Sequence, residues 1–147
     1  MASSDWWEHL RSEYRAKTAP TYTADQIAAV VKAVKAMPAA KKDPNKVATL
    51  WPQPKVMPTI SDVDFGNVEF AQPSLKSLMA SNKYLKRDRL IWHVQNPGKA
   101  LHNNPFTAAP LVCTVQEGAV IIDGHHRLAA LQLLGATKTQ VYNLPLT

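Results

Sequence analysis

Five consecutive residues, Asp123, Gly124, His125, His126 and Arg127, put a carboxylate, a glycine, two imidazoles and a guanidinium inside the otherwise apolar stretch "AVIIDGHHRLAALQLLGA". Together they have the chemistry of a phosphate site. Arginine forks onto phosphate oxygens, histidine supplies hydrogen-bond donors or metal nitrogens, and an aspartate carboxylate can hold Mg²⁺. Gly124 leaves room for an anion to meet the first free amides of a helix that starts after it. Each residue also has an ordinary structural use: Asp123 as a helix cap, one histidine as a core residue, Arg127 as a solvated surface charge. Four polar residues in five at a strand-to-helix junction favour a site over four separate packing roles.

The elements around the box can be read from its flanks. "APLVCTVQEGAVIID" is a hairpin of two β-branched runs joined at Glu117-Gly118, and a helix follows from about His126 to Leu134, with Gly135 as its C′ residue. A last strand spans about Gln140 to Leu144. Upstream, Val63, Phe65, Val68 and Phe70 alternate as one half-buried strand or two short ones. Ser74 after Pro73 predicts a helix carrying Leu75, Leu78, Met79 and Leu85, and "RLIWHV" fits helix or strand equally.

At the N-terminus, Asp5 and Glu8 begin a short amphipathic helix with Trp7, Leu10 and Tyr14 on one face. Thr23 and Gln26 form a capping box ahead of the stripe Ile27, Val30, Val31, Val34 and Met37, which ends before Pro38. Five of the eleven prolines fall between Pro38 and Pro58, which predicts a linker or a wrapping arm. The expected organisation is therefore an N-terminal helical segment and linker over 1–58 and a domain over 59–147. Because every phosphate-site candidate follows Asp62, the first unit is expected to be dispensable for ligand binding. Trp6, Trp7 and Trp51 are expected either to pack on the domain or, if exposed, to anchor a protein partner.

A chain of 147 residues with 46% hydrophobic content has enough apolar surface for one core. No apolar run approaches the roughly 20 residues of a membrane span, and the N-terminus lacks a signal-peptide core, so a cytoplasmic protein without membrane contact is expected. Cys113 is the single cysteine, which excludes an intrachain disulfide and a cysteine-based zinc site. It reads as a buried strand residue. The net charge of +6 favours acidic partners such as nucleotides or nucleic acid, although the basic residues are dispersed rather than gathered in a tail.

From Pro110 to Leu146, "PLVCTVQEGAVIIDGHHRLAALQLLGATKTQVYNLPL" resembles the carboxy-terminal half of the ParB/sulfiredoxin-like domain. There a hairpin leads into a "DGxHR" or "GERR" box, then a helix, a Leu-Gly stop and a strand. A weaker resemblance over 59–90 would complete that domain. The resemblance implies an α/β (α+β) fold, a small mixed sheet with helices preceded here by the N-terminal helical segment. It also implies a box that binds the phosphates of a nucleoside di- or triphosphate. Members include CTP-hydrolysing DNA-segregation clamps, sulfiredoxins, free-serine kinases and NTPases.

Departures narrow that range. The sulfiredoxin "GGCHR" cysteine falls on His125, so sulfiredoxin chemistry is not expected. Segregation proteins continue into a helix-turn-helix, whereas this sequence ends at Thr147, so a partition clamp is not expected either. The "DGHTR" box of the serine kinases matches Asp123, Gly124, His125 and Arg127, and their upstream glutamate base has its nearest equivalent in Glu69.

The expectation is thus a Mg²⁺-dependent enzyme that hydrolyses or transfers a phosphoryl group, as an NTP hydrolase, a small-molecule kinase or a ParB-like nuclease. The amides of Gly124, His125 and His126 and the Arg127 guanidinium would bind phosphates, and Asp123 would hold the metal. Of the two histidines, which point about 100° apart at a helix start, His125 would contact the ligand and His126 would be structural; the catalytic candidates are His125, His126 and Glu69. The alternative is a non-catalytic nucleotide-sensing or DNA-associated accessory module, of the kind carried by phages and mobile elements, docking a protein partner through the N-terminal helices.

Overall fold

The computed structural model describes residues 21–97, 99 and 110–146. It shows an α+β fold: a five-stranded mixed sheet, a separate two-stranded sheet and, among the described residues, three α-helices, the first of which precedes the strands. None of these helices is long and apolar enough to cross a membrane. The expected amphipathic segment at Asp5–Tyr14, with Trp6 and Trp7, lies outside the described residues.

Helix α1 (Ala24–Lys35) starts at the expected capping box, in which Thr23 Oγ1 accepts from the Gln26 amide and Gln26 Oε1 accepts from the Thr23 amide. Its C-terminal carbonyls are covered by a residue from far along the chain. The Arg87 guanidinium donates to the carbonyls of Val34, Lys35 and Met37, and its Nε donates to Pro44 O at 2.9 Å. A cation at that end satisfies the free carbonyls and suits the helix dipole.

The proline-rich stretch takes the wrapping-arm form. Strand β1 (Lys46–Ala48) pairs antiparallel with β4 (Tyr84–Lys86). Trp51 is buried, and its indole N–H donates to Leu75 O at 2.8 Å and Gln132 Oε1 at 3.0 Å. Val34, Val47 and Trp51 share one core with Leu75, Leu85 and Leu128. The packing therefore runs across residue 58 without a division there, and the expected split into two units has no counterpart in this core. Trp51 is a core residue rather than an exposed anchor.

The main sheet runs β2 (Glu69–Ala71), β7 (Val141–Leu144), β5 (Leu111–Val115), β6 (Gly118–Asp123), β3 (Met79–Ala80), with β5–β7 and β3–β6 parallel and the other pairs antiparallel. The hairpin of β5 and β6 and the last strand fall where the β-branched runs predict them. Period-two alternation divides the strands between two layers. Val112, Ile121 and Val141 face the helices, while Leu111, Cys113, Tyr142 and Leu144 face a second cluster closed by Val63, Val68 and Phe70. Cys113 is accordingly buried in β5.

The helix expected after Ser74 does not form. Leu75–Ser77 is one 3₁₀ turn, and Met79 and Ala80 enter the sheet as β3, paired with Val120 and Ile121. The reason lies in burial. Leu78, Met79 and Ala80 are all buried in succession, as in a strand covered on both faces, whereas a surface helix buries one stripe. The alternating run that ends at Phe70, with the residues leading into it, likewise yields two 3₁₀ turns, Ile60–Asp62 and Phe65–Asn67, before the short strand β2. "RLIWHV" resolves as part of helix α2 (Arg87–Gln95), which packs between α1 and helix α3 (His125–Leu133).

Candidate functional site

Strand β6 ends at Asp123, and Gly124 turns the chain into α3 with φ +94° and ψ 23°, in the left-handed region that glycine adopts without penalty. No side chain caps this helix start. The glycine has a second cause. A Cβ here would lie 3.0 Å from both Cα and Cβ of Pro110, the buried residue just before β5. The side chain that Gly124 lacks would therefore strike Pro110, a packing constraint additional to any approach of an anion. Replacing Gly124 by Val is expected to destabilise the fold by about 2–4 kcal/mol, from the positive φ and the clash together. A urea denaturation midpoint equal to that of the unaltered chain would contradict this.

Both histidines of the box are struts. His125 is buried, and its Nε2 accepts from the Ser81 amide at 3.1 Å. Ser81 Oγ lies 3.2 Å from the same nitrogen but donates to Ile121 O at 2.6 Å. His126 turns the other way, and its Nε2 accepts from the Lys86 amide at 2.9 Å. An Nε2 that accepts carries no proton, so both rings are neutral Nδ1–H tautomers. Burial lowers the pKa of each to about 4, assisted at His126 by Arg89, the neighbouring histidines and Lys86. The pair thus stitches the start of α3 to the residue that follows β3 and to the last residue of β4, with the expected divergence of direction but with a backbone partner for each ring.

Arg127 is buried with only 4% of its surface exposed, and its charge acts on both Asp123 and His93. Asp123 keeps solvent access, yet the protein around it raises its carboxyl pKa; the Gly124 amide, which it accepts, and Arg127 oppose that rise. Among the described residues, no three His, Cys, Asp or Glu side chains are grouped to hold a metal ion. A Mg²⁺ here would rest on one carboxylate and on oxygens brought by a ligand, a donor set this ion accepts.

Glu69 does not join this group. It is exposed on the edge strand β2, three strands across from β6, roughly 14 Å by strand spacing. In its place the fold brings three residues that the sequence does not mark as site candidates. Lys86, Arg89 and His93 repeat at helical spacing along α2 and its entry, and all act electrostatically on the His126 ring. The His93 ring stacks on His126 with centroids 6.5 Å apart and planes at 21°. A histidine in an apolar helix ordinarily reads as core, which is why "RLIWHV" carries no signal for it.

Two surface grooves lie elsewhere. One of about 600 Å³, at the tip of the β5–β6 hairpin, is lined by Val56, Met57, Glu117 and Leu146 among others. One of about 530 Å³ runs along α1 beside Ile27 and Val31. Neither includes a residue of the box. No protein-family model, curated protein or solved structure matches the chain.

Proposed function

We propose that the chain binds a nucleotide through its phosphates at the β6–α3 junction, as a member of the ParB/sulfiredoxin-like class that hydrolyses or transfers a phosphoryl group. The observation that carries the reading is the convergence of an uncapped helix start with the buried Arg127 and with Lys86 and Arg89. Free amides, a helix dipole and guanidinium groups are the usual means of holding phosphate. The amides of His125 and His126 face the anion, Arg127 supplies charge from below, and Asp123 takes Mg²⁺ together with phosphate oxygens.

The expected result is that Arg127→Lys weakens nucleotide binding about tenfold or more in titration calorimetry with Mg²⁺, because the planar fork is lost while the charge remains. Thermal melts of the same samples check that the variant is folded. Unchanged affinity in a folded Arg127→Lys protein would remove Arg127 from the site.

A second reading, a nucleotide-sensing or DNA-associated module without catalysis, is favoured by a specific observation. The Nε2 atoms of both box histidines are taken by backbone amides and Glu69 is remote, so the junction presents none of the expected bases with a free acceptor. Phosphate release from ATP, CTP or GTP separates the two readings: turnover that disappears in Arg127→Ala supports the enzyme, and binding without turnover supports the module.

A further inference from the structure

Lysines that lie far apart in the sequence meet on one face of the β1–β4 ribbon, and the fold accepts two unfavourable arrangements to keep them there. Lys46 pairs directly with Lys86 and, two positions along, Ala48 pairs with Tyr84, so these four share the outer face, while Val47 and Leu85 between them are buried on the other. Like charges opposed across a strand pair destabilise it. No carboxylate relieves them. Asp43 accepts from the Asn45 amide at 2.9 Å, Asp88 accepts from the Asn45 side chain at 3.1 Å and the Arg89 amide at 2.7 Å, and neither lysine has an ion pair with a described residue.

The second arrangement is the turn that leads into β1. The Asp43 amide donates to Ala40 O at 2.9 Å and the Ala40 amide to Lys46 O at 2.8 Å, with Lys41 and Lys42 at φ +52° and +58°. Positive φ at both central residues makes a type I′ turn, which Asn-Gly fills at least cost. Here both places are lysine, and among the described residues no other non-glycine has a positive φ. Strain held at two side chains of one kind points to a use for those side chains. Both are exposed, and the Lys41 ammonium reaches over the Tyr84 ring, 5.2 Å from its centroid.

We infer that this face binds a single-stranded nucleic acid, with Lys41, Lys42, Lys46 and Lys86 on its phosphates and a base stacked on Tyr84. Cations around an aromatic ring hold single strands without regard to sequence. A base that takes the place of Lys41 on the ring leaves that ammonium free for the adjoining phosphate. A duplex keeps its base faces covered, and an acidic peptide has no flat face to offer the ring, so a tyrosine among the lysines favours the single strand over both. Binding here does not require a nucleotide at the β6–α3 junction.

The test is fluorescence anisotropy of a labelled oligodeoxythymidylate of about 12 nucleotides with the whole chain, between about 50 and 200 mM salt, alongside thermal melts. The expected result is a log–log dependence of affinity on salt with a slope of about −2 to −3, near 0.7 for each of three or four phosphate contacts. In the triple variant Lys41→Asn, Lys42→Gly, Lys46→Gln the affinity at about 50 mM salt falls about tenfold or more and the slope becomes shallower by about 2. Its melting temperature rises, because Asn-Gly suits the turn and the opposed pair is gone. Tyr84→Leu lowers affinity about fivefold or more at an unchanged slope.

No binding by the unaltered chain, or an affinity and slope that the triple variant leaves unchanged, overturns the role of this face. So does a lower melting temperature in the triple variant, which would make the lysines structural. Polyglutamate that displaces the labelled strand as well as unlabelled oligonucleotide of equal charge does assigns the face to an acidic protein instead. Duplex DNA that binds as tightly, with Tyr84→Leu without effect, assigns it to a double strand.

Discussion

A chain starting at Thr59 shows no cooperative unfolding transition. This is the expected outcome because the first 58 residues supply part of the core rather than an appendage. Removing them takes away Val34, Val47 and Trp51, all buried against residues of the sheet and of α3. Loss of a buried tryptophan alone costs about 3–5 kcal/mol, against a total stability of about 5–15 kcal/mol for a typical domain. Polar groups are stranded as well. Leu75 O and Gln132 Oε1 lose the Trp51 indole, Arg87 loses the carbonyls of α1 and of Pro44, and β4 loses its partner strand. Circular dichroism melts compare the two chains directly. A Thr59–Thr147 chain that melts cooperatively within a few degrees of the whole chain would show that the sequence-based boundary, and the dispensability expected of residues 1–58, were right. Trp51→Ala in the whole chain gives the graded version, with a stability loss of about 3–5 kcal/mol.

The second large effect is acid lability between pH 6.5 and 4. His93, His125 and His126 each have a pKa of about 4 in the fold, mainly through burial, against 6.5 for an ordinary histidine. In that window the unfolded chain binds protons that the folded chain refuses, so stability is fully present above pH 6.5 and is lost as pH falls towards 4. At 1.36 kcal/mol per pH unit each histidine accounts for on the order of 3 kcal/mol. The three do not add fully, since His93 and His125 themselves depress His126. A total of several kcal/mol is expected, enough to unfold a marginal domain.

Other groups act outside the window or against it. Asp62, Asp64 and Asp88 have lowered pKa values through hydrogen bonds from Thr59, Asn67 and Asn45 respectively, and their contribution is lost only below the ordinary carboxylate range. Asp123, whose pKa is raised because the surrounding protein takes part of its hydration, favours the fold as it is protonated. Urea midpoints at pH 7 and pH 4.5, with histidine proton titrations by NMR in the folded state, check the claim. Equal midpoints, or histidines titrating near 6.5, would contradict it.

Local chemistry determined the parts of this protein that the sequence alone discloses. The Thr23–Gln26 capping box, the β5–β6 hairpin, whose turn is Gln116-Glu117, one position before the expected Glu117-Gly118, and the glycines at 124 and 135 each depend on residues within a few positions, so they are legible without knowing what packs against them. The same holds for the junction itself, where an apolar strand, a positive-φ glycine and a helix follow in order. What tertiary structure decided is whatever depends on a distant partner. Leu75–Ala80 has apolar spacing compatible with a helix, and only pairing with β6 makes it strand. Trp51 in a proline-rich stretch gives no local sign that it enters the core. His125 and His126 look like free ligands in sequence because the amides that occupy them come from Ser81 and Lys86, about 40 residues upstream. His93 reads as core for the converse reason: only the packing of α2 against α3 sets its ring beside His126. Side-chain type fixes which hydrogen bonds a residue can make, whereas the chain's long-range packing fixes which of them are already made.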